Sequence, residues 1–198
     1  AAAQESVRDF NIDDYRRLVL SSKKVVAIGE IGLDYYWRPK SKVKLSAFKD
    51  LQKRGLLLQM DLANELNLPI VFHCRVAHDD LIDILNTKRN FRGVIHCFTG
   101  TMEQMEQYLC LGLYLGLNGI IFKSIPGIDW QEIISKTPLE RILVETDAPY
   151  LTLPQEAGKR NEPVFVKYVI QEIAKIKKLS YEEITIQTTK NAKTLFNI

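Results

Sequence analysis

Five short apolar runs set the outline of this chain. They cover residues 25–28, 70–72, 93–95, 113–117 and 142–144, and each has the character of a short strand. Helical patterns lie between and after them. Residues 45–66 repeat apolar side chains at helical spacing and stop before Pro69. Thr101 with Gln104 reads as a capping box, opening a helix through about Leu109. A helix near 164–177 precedes a last one, opened by the capping box of Ser180 with Glu183 and running through Phe196. Residues 152–163 contain Pro154, Gly158 and Pro163 and read as a loop. Strands alternating with helices predict an α/β fold of parallel strands joined by helical crossovers. An open doubly wound sheet and a TIM (β/α)8 barrel both meet that description. A barrel takes about 250 residues, so the length of the chain favours the open sheet. The placement of its polar residues favours the barrel.

Four of the five runs lead into a residue able to bind a metal. The first leads to Glu30, the second to His73, the third to His96 and the last to Glu145-Thr146-Asp147. In parallel α/β folds ligands bind at the carboxyl ends of the strands, which all lie on one side. Glu145 and Asp147 are two apart, so in an extended chain both face the same way. Each residue alone has an ordinary explanation: a packed histidine, a surface glutamate, an aspartate setting a turn before Ala148-Pro149. Together they form a mixed nitrogen and oxygen donor set that suits zinc, manganese or a similar divalent ion; magnesium prefers carboxylate and water. A metal acidifies water and neutralises charge on an attacked phosphate, and a nearby carboxylate accepts the proton. His78 falls outside the pattern and is expected at the surface, in a loop or helix start.

Composition narrows the setting. The 198 residues are 46% hydrophobic and 26% charged, which excludes a disordered chain and suits a single core. The net charge of +3 fits a polyanionic partner. No apolar run approaches the roughly 18–20 residues that span a bilayer. Cys74, Cys97 and Cys110 form no Cys-x-x-Cys pair, which argues against a disulfide framework or a cysteine zinc site. Cys74 and Cys97 are read as small buried residues in a reducing compartment, so a cytoplasmic protein is expected.

The words around the donor residues are more specific than their spacing. AIGEIGLDYY (27–36), PIVFHCR (69–75), GVIHCFTG (93–100), LVETDAPYL (143–151) and RNEP (160–163) together resemble the TatD-related deoxyribonucleases. The resemblance runs from about residue 10 to the end. It implies an amidohydrolase-like TIM barrel with one or two divalent ions (Mg, Mn or Zn). The implied activity is hydrolysis of DNA phosphodiester bonds, with 3′ exonuclease action on single-stranded ends. By motif match it assigns Glu30, His73, His96 and Asp147 to the metal. Asp147 also takes the proton of the attacking water, with Glu145 as an acidic neighbour. Arg75 and Tyr35 are the residues set against substrate. Such proteins open with a strand carrying His-x-His, and this chain has no such pair. It is therefore expected to be one metal-dependent hydrolase domain over 1–198 lacking its N-terminal strands, an incomplete barrel of about five strands, and monomeric.

Two further functions fit the same residues: hydrolysis of another ester or amide bond, and a degenerate, inactive relative. Retention of Glu30, His73, His96 and Asp147 argues against the second. Beyond Tyr35-Tyr36-Trp37, the side chains Arg38, Lys40, Lys42 and Lys44 alternate along the chain. They read either as a path for a phosphate backbone beside stacking aromatics, or as a solvated basic loop with its aromatics packed beneath.

Overall fold

A computed structural model describes residues 11–88 and 90–198, so the Ala1-Ala2-Ala3 start lies outside the described residues. The chain divides into two compact units, one running to Gly93 and the other from Val94 to Ile198.

The first unit holds α1 (Ile12–Leu20), β1 (Ile28–Asp34), α2 (Lys42–Glu65), β2 (Ile70–Arg75) and α3 (His78–Thr87). β1 and β2 pair in parallel from Ile28↔Ile70 to Asp34↔Arg75. The register slips between Gly29 and Ile31, which makes Glu30 an extra residue in the ladder. A bulge of this kind re-aims the side chain it carries. β1 thus lies later than the 25–28 run suggested. Ile31, Leu33 and Tyr35 alternate inward and are almost fully buried, and this period of two outweighs the continuous run before it. Gly32 lets the strands close, because a Cβ there would fall 1.8 Å from the carbonyl oxygen of His73. α2 lies against β1, and its Gln52 accepts from the Asp34 N–H at 2.8 Å and donates to the Asp34 carbonyl at 2.9 Å.

Two side chains of this unit depart from expectation. His78 opens α3 and is buried, not at the surface, because the helix turns its first residue inward. Tyr35 is 2% exposed, and its hydroxyl donates to Asp80 at 2.8 Å. Asp80 also pairs with Lys49 at 3.1 Å and Lys53 at 3.2 Å. A ring so enclosed has no face for substrate, so Tyr35 is a core residue and not the substrate contact read from the sequence. Partial burial works to raise the pKa of Asp80, but the Tyr35 hydroxyl and the two lysines outweigh it and hold it below the usual range. A depressed carboxylate stabilises the fold above its unfolded pKa, and that gain is lost as pH falls through the folded value. Asp80→Asn should therefore cost about 1–2 kcal/mol at neutral pH and less in acid, measured by urea unfolding at pH 7 and pH 3. An equal cost at both pH values would remove the charge from the explanation.

The second unit continues β3 (Gly93–His96) into α4 (Met102–Cys110), β4 (Tyr114–Leu117), a 3-10 turn (Gly119–Phe122), α5 (Trp130–Lys136), β5 (Ile142–Val144), α6 (Val166–Lys177) and α7 (Tyr181–Phe196). β4 pairs in parallel with β3 on one side and β5 on the other. All four residues of β4 are buried, as expected for a parallel strand covered on both faces. Both predicted capping boxes form, Thr101 with Gln104 and Ser180 with Glu183. The 152–163 stretch is a loop with a 3-10 turn at Pro154–Glu156 and a second, Pro163–Phe165, opening at its last residue. α7 is tied to the start of β5 by Asn191, whose amide donates to the carbonyls of Leu139 and Ile142 at 2.8 Å each. Helices α1 and α5 had no counterpart in the sequence reading, and α3 was anticipated only as a loop or helix start at His78. Among the described residues, no helix is long and apolar enough to cross a membrane.

Candidate functional site

The functional side chains fall into one group in each unit. In the first, the bulge at Glu30 brings its Oε1 within 2.7 Å of His73 Nδ1. His73 stands inside β2, one residue across from Gly32, and its Nε2 lies 3.3 Å from Asp34 Oδ2. Asp34 also receives Arg75, whose terminal nitrogen lies 2.7 Å from Oδ2 and whose Nε donates to Oδ1 at 3.2 Å. The Tyr36 N–H adds a third donor at 2.9 Å. Partial burial opposes ionisation of Asp34, yet Arg75 and that N–H keep its pKa below the ordinary value. Burial likewise opposes charge on His73. The hydrogen bond that His73 donates to Glu30 and the charges of Glu30 and Asp34 outweigh burial and raise the imidazole pKa. His73 thus has a carboxylate at each ring nitrogen.

In the second unit β3 ends at His96, and Cys97 turns the chain with a φ of 45°. That turn aims the Cys97 N–H at Glu145 Oε1, 2.7 Å away. Asn118 follows β4, is fully buried, and donates to the same oxygen at 3.0 Å. Glu145 Oε2 lies 2.8 Å from His96 Nδ1. A carboxylate at this distance suits a proton on His96 Nδ1, the tautomer that leaves Nε2 free on the side of Asp147. Nε2 lies 3.5 Å from Asp147 Oδ1. This carboxylate–histidine arrangement is the one that orients a metal-binding imidazole. Glu145 thus stands where it can orient His96. Gly116 makes the room, since a Cβ there would fall 2.9 Å from Glu145 Oε2.

Asp147 sits in the left-handed region, with a φ of 57°. Asn161 staples its turn: the amide donates to the carbonyls of Thr146, Tyr150 and Leu151 at 2.7, 2.5 and 3.3 Å. Its Oδ1 is buried without a hydrogen-bond partner. Asn161→Asp would turn a carboxylate oxygen toward those carbonyls. The expected cost is about 3 kcal/mol in guanidinium unfolding, together with a lower kcat. A variant as stable and active as the parent would show that the staple does not hold the turn.

The structure thus pairs Glu30 with His73, and His96 with Glu145 and Asp147. Among the described residues, no three His, Cys, Asp or Glu side chains gather as a ready-made metal cage. The donors are instead drawn into histidine–carboxylate pairs, whose charges and atom types suit a divalent cation. Arg75 is a salt-bridge partner of Asp34 with its side chain 45% exposed. Cys74 is buried as expected, whereas Cys97 is half-buried and serves the site through its backbone. Asp34 and Asn118 were not singled out from the sequence. A signal existed for Asn118, which closes the fourth apolar run, 113–117, as Glu30, His73, His96 and Glu145 follow the other four.

Parallel strands that carry histidine–carboxylate pairs are an arrangement that a metal-dependent hydrolase on a TIM-barrel frame can use. The chain belongs to the TatD-related DNase family, whose model matches residues 2–197. It is 42% identical over 179 residues to the uncharacterized metal-dependent hydrolase YabD of Bacillus subtilis, covering 89% of this chain and 67% of that one. It is 35% identical over 181 residues to the 3′-5′ ssDNA/RNA exonuclease TatD of Escherichia fergusonii, covering 88% and 67%. Among solved structures, the TatD homologue YjjV of Escherichia coli superposes with a TM-score of 0.83 at 29% identity, covering 94% of this chain and 70% of that one. A TatD family hydrolase from Entamoeba histolytica gives 0.81 at 28% identity, covering 98% and 71%.

Proposed function

We infer that the chain is a metal-dependent deoxyribonuclease that hydrolyses phosphodiester bonds, acting on single-stranded DNA from the 3′ end. The observation that carries this reading is His96, held by Glu145 at 2.8 Å with Nε2 turned toward Asp147. Family membership supplies the reaction class. We assign metal donors to Glu30 and His73 in the first unit and to His96 and Asp147 in the second. A divalent ion bound by such donors supplies stabilisation of phosphoryl charge and an acidified water. Asp147 accepts the proton of the attacking water. Glu145 fixes the tautomer of His96. Asp34 steadies His73 and Arg75 together, and the remaining N–H groups of Arg75 are those through which it would meet a phosphate. Three free cysteines, one of them exposed, support a reducing cytoplasmic setting.

The test is cleavage of 3′-end-labelled and 5′-end-labelled single-stranded DNA, with EDTA and with added magnesium, manganese or zinc. Metal-dependent cleavage that disappears in His96→Ala is the expected result. A folded, metal-loaded protein that cuts no DNA with any of the three ions would move the reaction to a different ester or amide bond.

A further inference from the structure

The segment after β1 carries a surface that the hydrolytic chemistry does not use. Tyr36 and Trp37 are 56% and 80% exposed, although aromatic rings gain more from burial than most side chains. Their rings meet edge to face, 5.0 Å between centroids. The Arg75 guanidinium lies 4.5 Å from the centroid of the Tyr36 ring. Asp34 anchors this arrangement: it accepts from the Tyr36 N–H at 2.9 Å and pairs with Arg75 at 2.7 Å. The same carboxylate reaches His73 Nε2 at 3.3 Å, so the aromatic pair stands one side chain from a donor residue. Arg38, Lys40, Lys42 and Lys44 follow in the chain, all exposed. The neighbouring Tyr35 makes the contrast plain, because it is buried and bonded to Asp80.

We propose that Tyr36 and Trp37 form a stacking subsite for an unpaired base of a single-stranded nucleic acid, with the exposed Arg38 and Lys40 that follow them, ahead of α2, meeting its phosphates. The substrate class rests on the nuclease reading above. Exposed planar rings, a cation shared with one of them, and a basic run are the parts of a sequence-tolerant single-strand site. Every base has a π face, so the subsite selects unpaired bases over paired ones without selecting their identity.

Trp37 supplies its own reporter. The other tryptophan, Trp130, is 9% exposed and donates its indole N–H to the Lys123 carbonyl at 2.9 Å. A change in tryptophan emission on adding an oligonucleotide therefore reads Trp37. The experiment titrates the metal-free protein with a short oligothymidylate and with an abasic phosphodiester oligomer of the same length. Quenching should saturate with the first, and its Kd should be lower by about five- to a hundredfold, the range for stacked bases. With affinities in the variants read by anisotropy of end-labelled oligomers, Tyr36→Ala with Trp37→Ala should erase that difference and leave the weak, salt-dependent binding of the abasic oligomer in place. Trp37→Phe should restore the affinity without the signal. Equal affinity of the parent for the two oligomers overturns the proposal, as does unchanged oligothymidylate affinity in the folded double variant, which would leave the rings to a protein partner. Cleavage is read apart from binding. Base-dependent binding with no cleavage by any metal would sink the nuclease reading and keep the subsite. Cleavage with unchanged KM in the double variant would sink the subsite and keep the nuclease.

Discussion

Asp147→Asn is expected to lower kcat on single-stranded DNA by about 10²–10⁴-fold while leaving the unfolding transition in place. The residue is 31% exposed and sits in the left-handed region. Asparagine has the same shape and tolerates that backbone conformation, so the turn stapled by Asn161 survives the exchange. What disappears is the negative charge 3.5 Å from His96 Nε2 and, with it, the base of the proposed mechanism. The carboxylate is assigned to both metal and water, so kcat is to be measured at saturating metal, which separates a loss of ion from a loss of base. An unchanged rate under that condition removes Asp147 from the mechanism.

Glu145→Gln should be as damaging by a different route. The carboxylate accepts from the Cys97 N–H, the Asn118 amide and His96 Nδ1. A glutamine can keep its carbonyl oxygen toward the first two donors. Its NH2 then faces His96, and two donors cannot share that contact. The imidazole must move its proton to Nε2, the nitrogen that faces Asp147, where a lone pair is needed to bind an ion. Changes of this kind in the partners of metal ligands typically cost 10–100-fold in metal affinity or activity. We expect that loss here, with stability lowered by about 1–2 kcal/mol. Nitrogen-15 shifts of the imidazole should report Nδ1–H in the parent and Nε2–H in the variant. The parent tautomer persisting in an active variant would show that Glu145 does not orient His96.

Much of the frame was legible beforehand. The two capping boxes and the strands at 93–95 and 142–144 formed where they were read. The loop between Asp147 and α6 was equally plain from its prolines and glycine. The donor residues stood out because they break apolar runs, although Glu30 and His73 lie inside β1 and β2 and not at the strand ends expected, and only His96 closes its strand. The misreadings share a cause. The 25–28 run looked like a strand because it is continuously apolar, but burial follows the alternation of Ile31, Leu33 and Tyr35. Tyr35 and Tyr36 are adjacent and chemically alike, so sequence could not tell which ring faces the core. His78 stands at a helix start, and only the rotation of α3 decides that it points inward.

By itself the sequence determined the alternation of strands and helices, the caps and the family, because these rest on hydrogen bonds and periodicities spanning a few residues. The tertiary structure alone decided the pairings of the site. Glu145 reaches His96 across 49 residues, and Asp34 reaches His73 across 39. The bulge that turns Glu30 toward His73 exists only as a mismatch between two paired strands. Periodicity records which face of an element is apolar; it carries no record of the donor that a distant strand will bring within 3 Å of a carboxylate.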